Sequence, residues 1–183
     1  MIALAMMLLI GCDKIKDATS RDFTVNHITF DFAATAQDDI TMLSGNPAVT
    51  TRAGETTSFT VTRPVDISEM GNNDIIEYAG KISKIAVNSS LITITASPAG
   101  TYTITDLKVT AAGVAGELEI PSYTMGSTFA APSNMNAYTT AFMMKLLSVK
   151  TIQVTVAGKS DAPAGTLINI KYESDIVFTA SLL

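Results

Sequence analysis

From Phe23 onward, apolar and polar positions alternate with a period of two, the pattern of strands that bury one face. Ile28, Phe30 and Phe32 share one face of a first strand, with Thr29 and Asp31 between them. Phe23 and Val25 fall on the opposite parity, which predicts a bulge near Asn26-His27. Gly45-Asn46-Pro47 marks a loop. A second strand follows over residues 57–63, carrying Phe59 and Val61, and Pro64 ends it or confines it to a sheet edge.

The period then changes. Asn73 or Asp74 caps a short helix running to about residue 84, with Ile75, Tyr78, Ala79, Ile82 and Ile85 at helical spacing and Gly80 as its weak point. Residues 91–96 and 102–109 read as strands joined by the turn Pro98-Ala99-Gly100, and Thr105-Asp106 breaks the parity of the second. Leu118 and Ile120 make a short strand before Pro121, and a polar loop covers residues 122–134. Asn134 or Asn136 caps a second helix to about Leu147, with Tyr138, Ala141, Phe142 and Leu146 as its apolar stripe. Met143 and Met144 are neighbours and cannot share that stripe equally; gap-filling in the core is the ordinary use of such methionines. Three strands close the chain, marked by Ile152/Val154/Val156, Ile168/Ile170/Tyr172 and Ile176/Phe178/Ala180.

The order helix, strand, Pro-Ala-Gly turn, strand occurs twice, over residues 74–109 and 136–178. Two occurrences are too few for a solenoid, which leaves a duplicated lobe or coincidence. The expected fold is all-β, mainly antiparallel: a β-sandwich over residues 23–183, as one body or as tandem lobes 23–115 and 116–183, with two short helices.

Composition supports that class. Of 183 residues, 47% are apolar, enough for a packed core, and only 16% are charged, while threonine and β-branched residues are plentiful. Aromatics are 7% with no tryptophan, which counts mildly against a glycan-binding platform. The net charge is −5 and no basic cluster occurs, so the electrostatic footprint of a nucleic-acid binder is missing.

Residues 1–11 are uncharged and apolar, too short for the roughly 20 residues of a spanning helix and suited to the apolar region of a secretion signal. Leu9-Ile10-Gly11-Cys12 follows the pattern of a large apolar residue three before a cysteine and a small one just before it. It resembles the lipobox of bacterial lipoproteins. The resemblance implies a signal peptide over 1–11, removed before Cys12, a lipid-modified Cys12, and anchoring to a membrane. Cys12 is the only cysteine, so no internal disulfide is available to it. The positive charge that usually begins a signal peptide is missing from this leader. Residues 12–22 read as a polar tether. The chain as a whole resembles the small lipid-anchored β-sandwich proteins of the Bacteroidetes, with the lipobox as the specific part of the likeness. This implies a cell-envelope location, in the outer membrane, with the leaflet open.

Candidate chemistry is sparse. His27, the only histidine, would be required by a Ser-His-Asp triad and by most zinc sites, yet neither a Gly-x-Ser-x-Gly elbow nor a His-Glu-x-x-His helix is present. Asp38-Asp39 and Asp31 are scattered carboxylates without a visible facing pair, and Asn72-Asn73-Asp74 reads better as a helix cap than as a calcium loop. No catalytic residue, metal or cofactor is expected. Within the loop over 122–134, Tyr123, Met125 and Phe129 form an apolar set that either tucks onto the core or meets a partner protein at the membrane. The expected function is a non-catalytic surface or periplasmic binding or accessory lipoprotein. The alternatives are a fimbrillin-like pilus subunit, for which Arg21 and Arg52 could serve as processing points, and a hydrolase.

Overall fold

The computed structural model describes residues 20–38, 56–125 and 132–181. They form an all-β antiparallel sandwich of two sheets with two short α-helices. The smaller sheet has the order β1-β9-β4, built from β1 (Ser20–Thr35), β9 (Leu167–Ser181) and β4 (Ile82–Ser97). The larger has the order β2-β3-β8-β5-β6, from β2 (Gln37–Asp38), β3 (Thr57–Asp66), β8 (Thr151–Ser160), β5 (Thr103–Ala111) and β6 (Leu118–Ile120). Strand β7 (Tyr123–Thr124) pairs with the start of β5. The inward positions of both sheets meet in one apolar cluster that includes Phe30, Phe32, Ile94, Ile170 and Phe178 from the smaller sheet and Phe59, Ile104, Ile152 and Val156 from the larger. Each such side chain contributes about 1.5–3 kcal/mol by leaving water.

The parity change in β1 is a bulge: pairing with β9 shifts between Val25 and Ile28, and His27 takes a left-handed φ of 58°. Both halves of the strand thereby keep their apolar residues inward, Phe23 and Val25 before the bulge and Ile28, Phe30 and Phe32 after it. The break in β5 has the same form, with a register shift between Thr105 and Lys108 and φ 52° at Asp106. Pro64 lies within β3, opposite Gln153 of β8. Among the described residues the far side of β3 is paired only at Thr57 and Ser58, so within them the proline sits at a sheet edge, as the sequence allowed.

Three expectations change. The helix anticipated from residue 73 to about 84 is capped by Asn72, whose Oδ1 accepts from the Asp74 amide at 2.9 Å, and it ends early. It comprises α1 (Asn73–Tyr78) and a 3-10 turn over Ala79–Lys81, after which Ile82 and Ile85 belong to β4. Their β-branched side chains suit a strand, and β9 offers the ladder: Ile85 pairs with Phe178 and Val87 with Ile176. Second, the last two expected strands are one. Ser174 holds the inward parity between Tyr172 and Ile176, 2% exposed, its hydroxyl donating to the Ser89 carbonyl at 2.7 Å. Third, the segments 23–115 and 116–183 do not build separate sheets, because β9 lies between β1 and β4 and β8 between β3 and β5.

The twice-occurring unit has a structural counterpart. Each Pro-Ala-Gly turn carries the chain from one sheet to the other, β4 to β5 and β8 to β9. The first strand of each unit pairs with the second strand of the other, β4 with β9 and β8 with β5. Helix α2 (Met135–Val149) packs against β4 and β8, burying Phe142, Met143, Leu146 and Leu147 and leaving Met144 44% exposed. The Phe142 ring meets Phe30 edge-on at 5.7 Å. No helix among the described residues is long and apolar enough to cross a membrane.

Candidate functional site

The outer face of the smaller sheet holds a groove of about 400 Å³ lined by Asp31, Ala33, Thr93, Thr95, Asn169 and Lys171, with the backbones of Phe32 and Ile170 beneath. Register explains the set. Asp31 pairs with Lys171 and Lys171 with Thr93, giving one row across β1, β9 and β4; Ala33, Asn169 and Thr95 give the next. These are the outward positions of strands whose alternate residues fill the core, so their direction is dictated by burial on the other face. Ala33, exposed and one carbon long, leaves the floor open beside Asn169. The Lys171 ammonium donates to Glu173 at 2.8 Å, and that hydrogen bond, aided by the Glu173 and Asp31 charges, raises its pKa. Among the described residues, the Asp31 carboxylate and the side chains of Asn169, Thr93 and Thr95 find no hydrogen-bond partner.

Beyond the groove, both edge strands bulge against β9 at one level. There Asp175 accepts from the His27 backbone amide at 2.8 Å and from the Ser89 hydroxyl at 2.8 Å. These bonds, the amide first, hold its carboxyl below the usual carboxylate range. The imidazole Nδ1 lies 3.9 Å from the same carboxylate. Serine, histidine and aspartate thus converge, but the carboxylate stands between the other two. A hydrolytic triad needs the imidazole between, to take the serine proton. Here the serine donates to a weakly basic carboxylate, and the arrangement clamps two bulges. Among the described residues, no group of three His, Cys, Asp or Glu side chains could hold a metal ion.

The residues singled out in the sequence fall apart in space. Tyr123 lies in β7, opposite Ile104, and is 9% exposed; Met125 is 8% exposed, its amide donating to the Tyr102 carbonyl at 2.9 Å. Both pack on the core, the first of the two alternatives considered for that loop. Phe129, Cys12 and Arg52 lie outside the described residues. Arg21 is held in β1 opposite Ala180, over the Phe23 ring at 4.8 Å and 3.7 Å from Asp74. The groove residues, by contrast, carry no motif. Their one sequence signal was outward parity, and nothing along the chain tells which strands become neighbours.

A second cavity, of about 60 Å³, lies between the sheets under α2, lined by Phe30, Phe32, Ile92, Phe142, Val154 and Val156 with the hydroxyl-bearing Tyr138, Thr139 and Tyr172. Its volume suits a water or two, far below the roughly 300 Å³ at which small-molecule sites begin. Tyr172 Oη lies 2.8 Å from Thr139 Oγ1 and 3.1 Å from Ser90 Oγ, which continues to Ser174 at 3.2 Å. Among the described residues Tyr138 Oη is buried without a hydrogen-bond partner, and burial raises its pKa; the Ala111 backbone offsets part of this without reaching hydrogen-bond geometry.

Fold and site together define an all-β sandwich with an open groove on one sheet face. No protein-family model matches the chain, and no curated protein or solved structure does.

Proposed function

We propose that the chain is a lipid-anchored, non-catalytic binding or accessory module of the bacterial cell envelope, held at the outer membrane through Cys12. The observation that carries this is the tetrapeptide Leu9-Ile10-Gly11-Cys12, ending an uncharged apolar leader at the sole cysteine. Two further features support it. The sequence between Cys12 and the first described strand, which begins at Ser20, is short and polar, as a tether would be. The sandwich also presents a groove of small-molecule dimensions built on strands and not on loops.

The test is acylation. Wild-type protein expressed in a bacterial host incorporates labelled palmitate and partitions into the detergent phase, since each buried methylene adds about 0.8 kcal/mol to membrane affinity. Cys12→Ser is unlabelled and aqueous. A Cys12→Ser protein that still partitions with membranes overturns the anchor.

A further inference from the structure

We infer that the groove on the outer face of the smaller sheet binds a neutral polyhydroxylated ligand, a saccharide unit. The inference rests on the reading of the chain as a binding module and names the chemistry of its ligand.

Charge sets the class first. Lys171 donates to Glu173 and stands across the strand from Asp31, so the groove presents both signs of charge side by side. An anion would lie against Asp31, in a protein of net charge −5. A metal ion would find one carboxylate where it needs several oxygen ligands. An organic cation would lie beside the Lys171 ammonium, the cross-strand neighbour of Asp31. A neutral ligand rich in hydroxyls meets none of these penalties.

Hydrogen-bonding capacity points the same way. A carboxylate accepts from two adjacent hydroxyls, a carboxamide both donates and accepts, and threonine hydroxyls do either. Asp31, Asn169, Thr93 and Thr95 supply that mixture over two adjacent rows: Asn169 and Thr95 stand one strand spacing apart, about 4.8 Å, and Asp31 and Thr93 flank Lys171 on either side, two spacings apart. Ala33 leaves room for a ring to lie on the floor between them. Among the described residues the one aromatic at the groove is Phe32, which is buried in the core, so recognition here rests on hydrogen bonds without ring stacking, and binding is correspondingly weak. The sparse aromatics of the sequence count against a stacking platform and leave this kind of site available.

The experiment is a heteronuclear NMR titration of the full chain carrying Cys12→Ser. Glucose, galactose, mannose, N-acetylglucosamine and their common disaccharides serve as probes, with inorganic phosphate and glycerol beside them. At least one sugar is expected to give saturable shifts at the amides of Ala33, Thr95, Asn169 and Lys171. Asp31→Ala and Asn169→Ala each weaken that binding by roughly tenfold, the loss of one or two hydrogen bonds. Ala33→Leu, which fills the floor at an exposed position, abolishes it, while Thr60→Ala on the outer face of the other sheet leaves it unchanged. The inference is overturned if no sugar gives saturable shifts at these amides, if Ala33→Leu binds like the parent, or if phosphate or glycerol matches the sugars. Anchoring is read separately from palmitate incorporation, so a groove that ignores sugars leaves the lipoprotein reading standing.

Discussion

Two chemically identical substitutions at the interior cavity are expected to have different consequences. Tyr172→Phe removes a hydroxyl with two partners, Thr139 Oγ1 at 2.8 Å and Ser90 Oγ at 3.1 Å. Ser90 retains Ser174, but Thr139 is 4% exposed and is left without a side-chain partner. A net hydrogen bond contributes about 0.5–1.5 kcal/mol, and orphaning a buried hydroxyl costs about 1–3 kcal/mol. Thr139 recovers part of this by turning its hydroxyl to the carbonyl four residues back along α2. The expected loss is about 2 kcal/mol. Tyr138→Phe removes a buried hydroxyl that has no partner, so its desolvation cost disappears and no bond is lost. Stability should stay within about 0.5 kcal/mol of the parent or rise. Urea unfolding followed by far-UV circular dichroism measures both, with unchanged m-values as the check that the midpoint shifts report stability. Equal losses for the two variants would refute the assignment of the partnered and unpartnered tyrosines.

Two further outcomes follow from the same structure. Phe30→Asp places a carboxylate where the side chain is 3% exposed, edge-on to Phe142 and stacked with Tyr172, and it should abolish folding; a soluble variant with a cooperative unfolding transition would place that strand face outside the core. Asp66 caps the 3-10 turn over Ile67–Met70: the Ser68 amide, then the Thr151 and Ser68 hydroxyls, donate to its carboxylate and lower its pKa from 3.8 to about 2. A depressed folded-state pKa means the ionised carboxylate stabilises the fold above about pH 3.8, and that stabilisation drains away as pH falls toward 2. Asp66→Ala should therefore melt below wild type at neutral pH and converge with it near pH 2; a constant gap across the range would show that ionisation is not what the cap uses.

Much of the architecture was legible because it is written locally. A switch of apolar parity can be accommodated only by an extra residue, so the bulge at Asn26-His27 and the break at Asp106 could be read before any partner strand was known. Helix α2 was legible from its 3.6-residue stripe, although the buried face turned out to include Met143 and Thr139 as well as Phe142 and Leu146. The all-β class followed from the same alternation. Features that depend on a distant partner were not legible. Ser174 reads as a break in an apolar run, yet the Ser89 carbonyl, brought alongside by the β4–β9 ladder, satisfies it and lets β9 continue. Ile82 and Ile85 stand at helical spacing; pairing with β9, with a register shift between Ile82 and Lys84, decided for the strand.

The site divides along the same line. The sequence by itself determined which residues face outward on each strand and that Cys12 stands alone after an apolar leader. Only the tertiary structure decided that β9 inserts between β1 and β4, and this puts Asp31, Asn169, Lys171, Thr93 and Thr95 on one surface although they are scattered along the chain. The same insertion turns His27, Asp175 and Ser89 into a clamp and not a triad, because the order of groups in space follows strand order and not sequence order. Alternation is a property of a few neighbouring residues and survives in the linear text. Strand neighbourhood comes from the mutual burial of whole faces, and no single segment carries it.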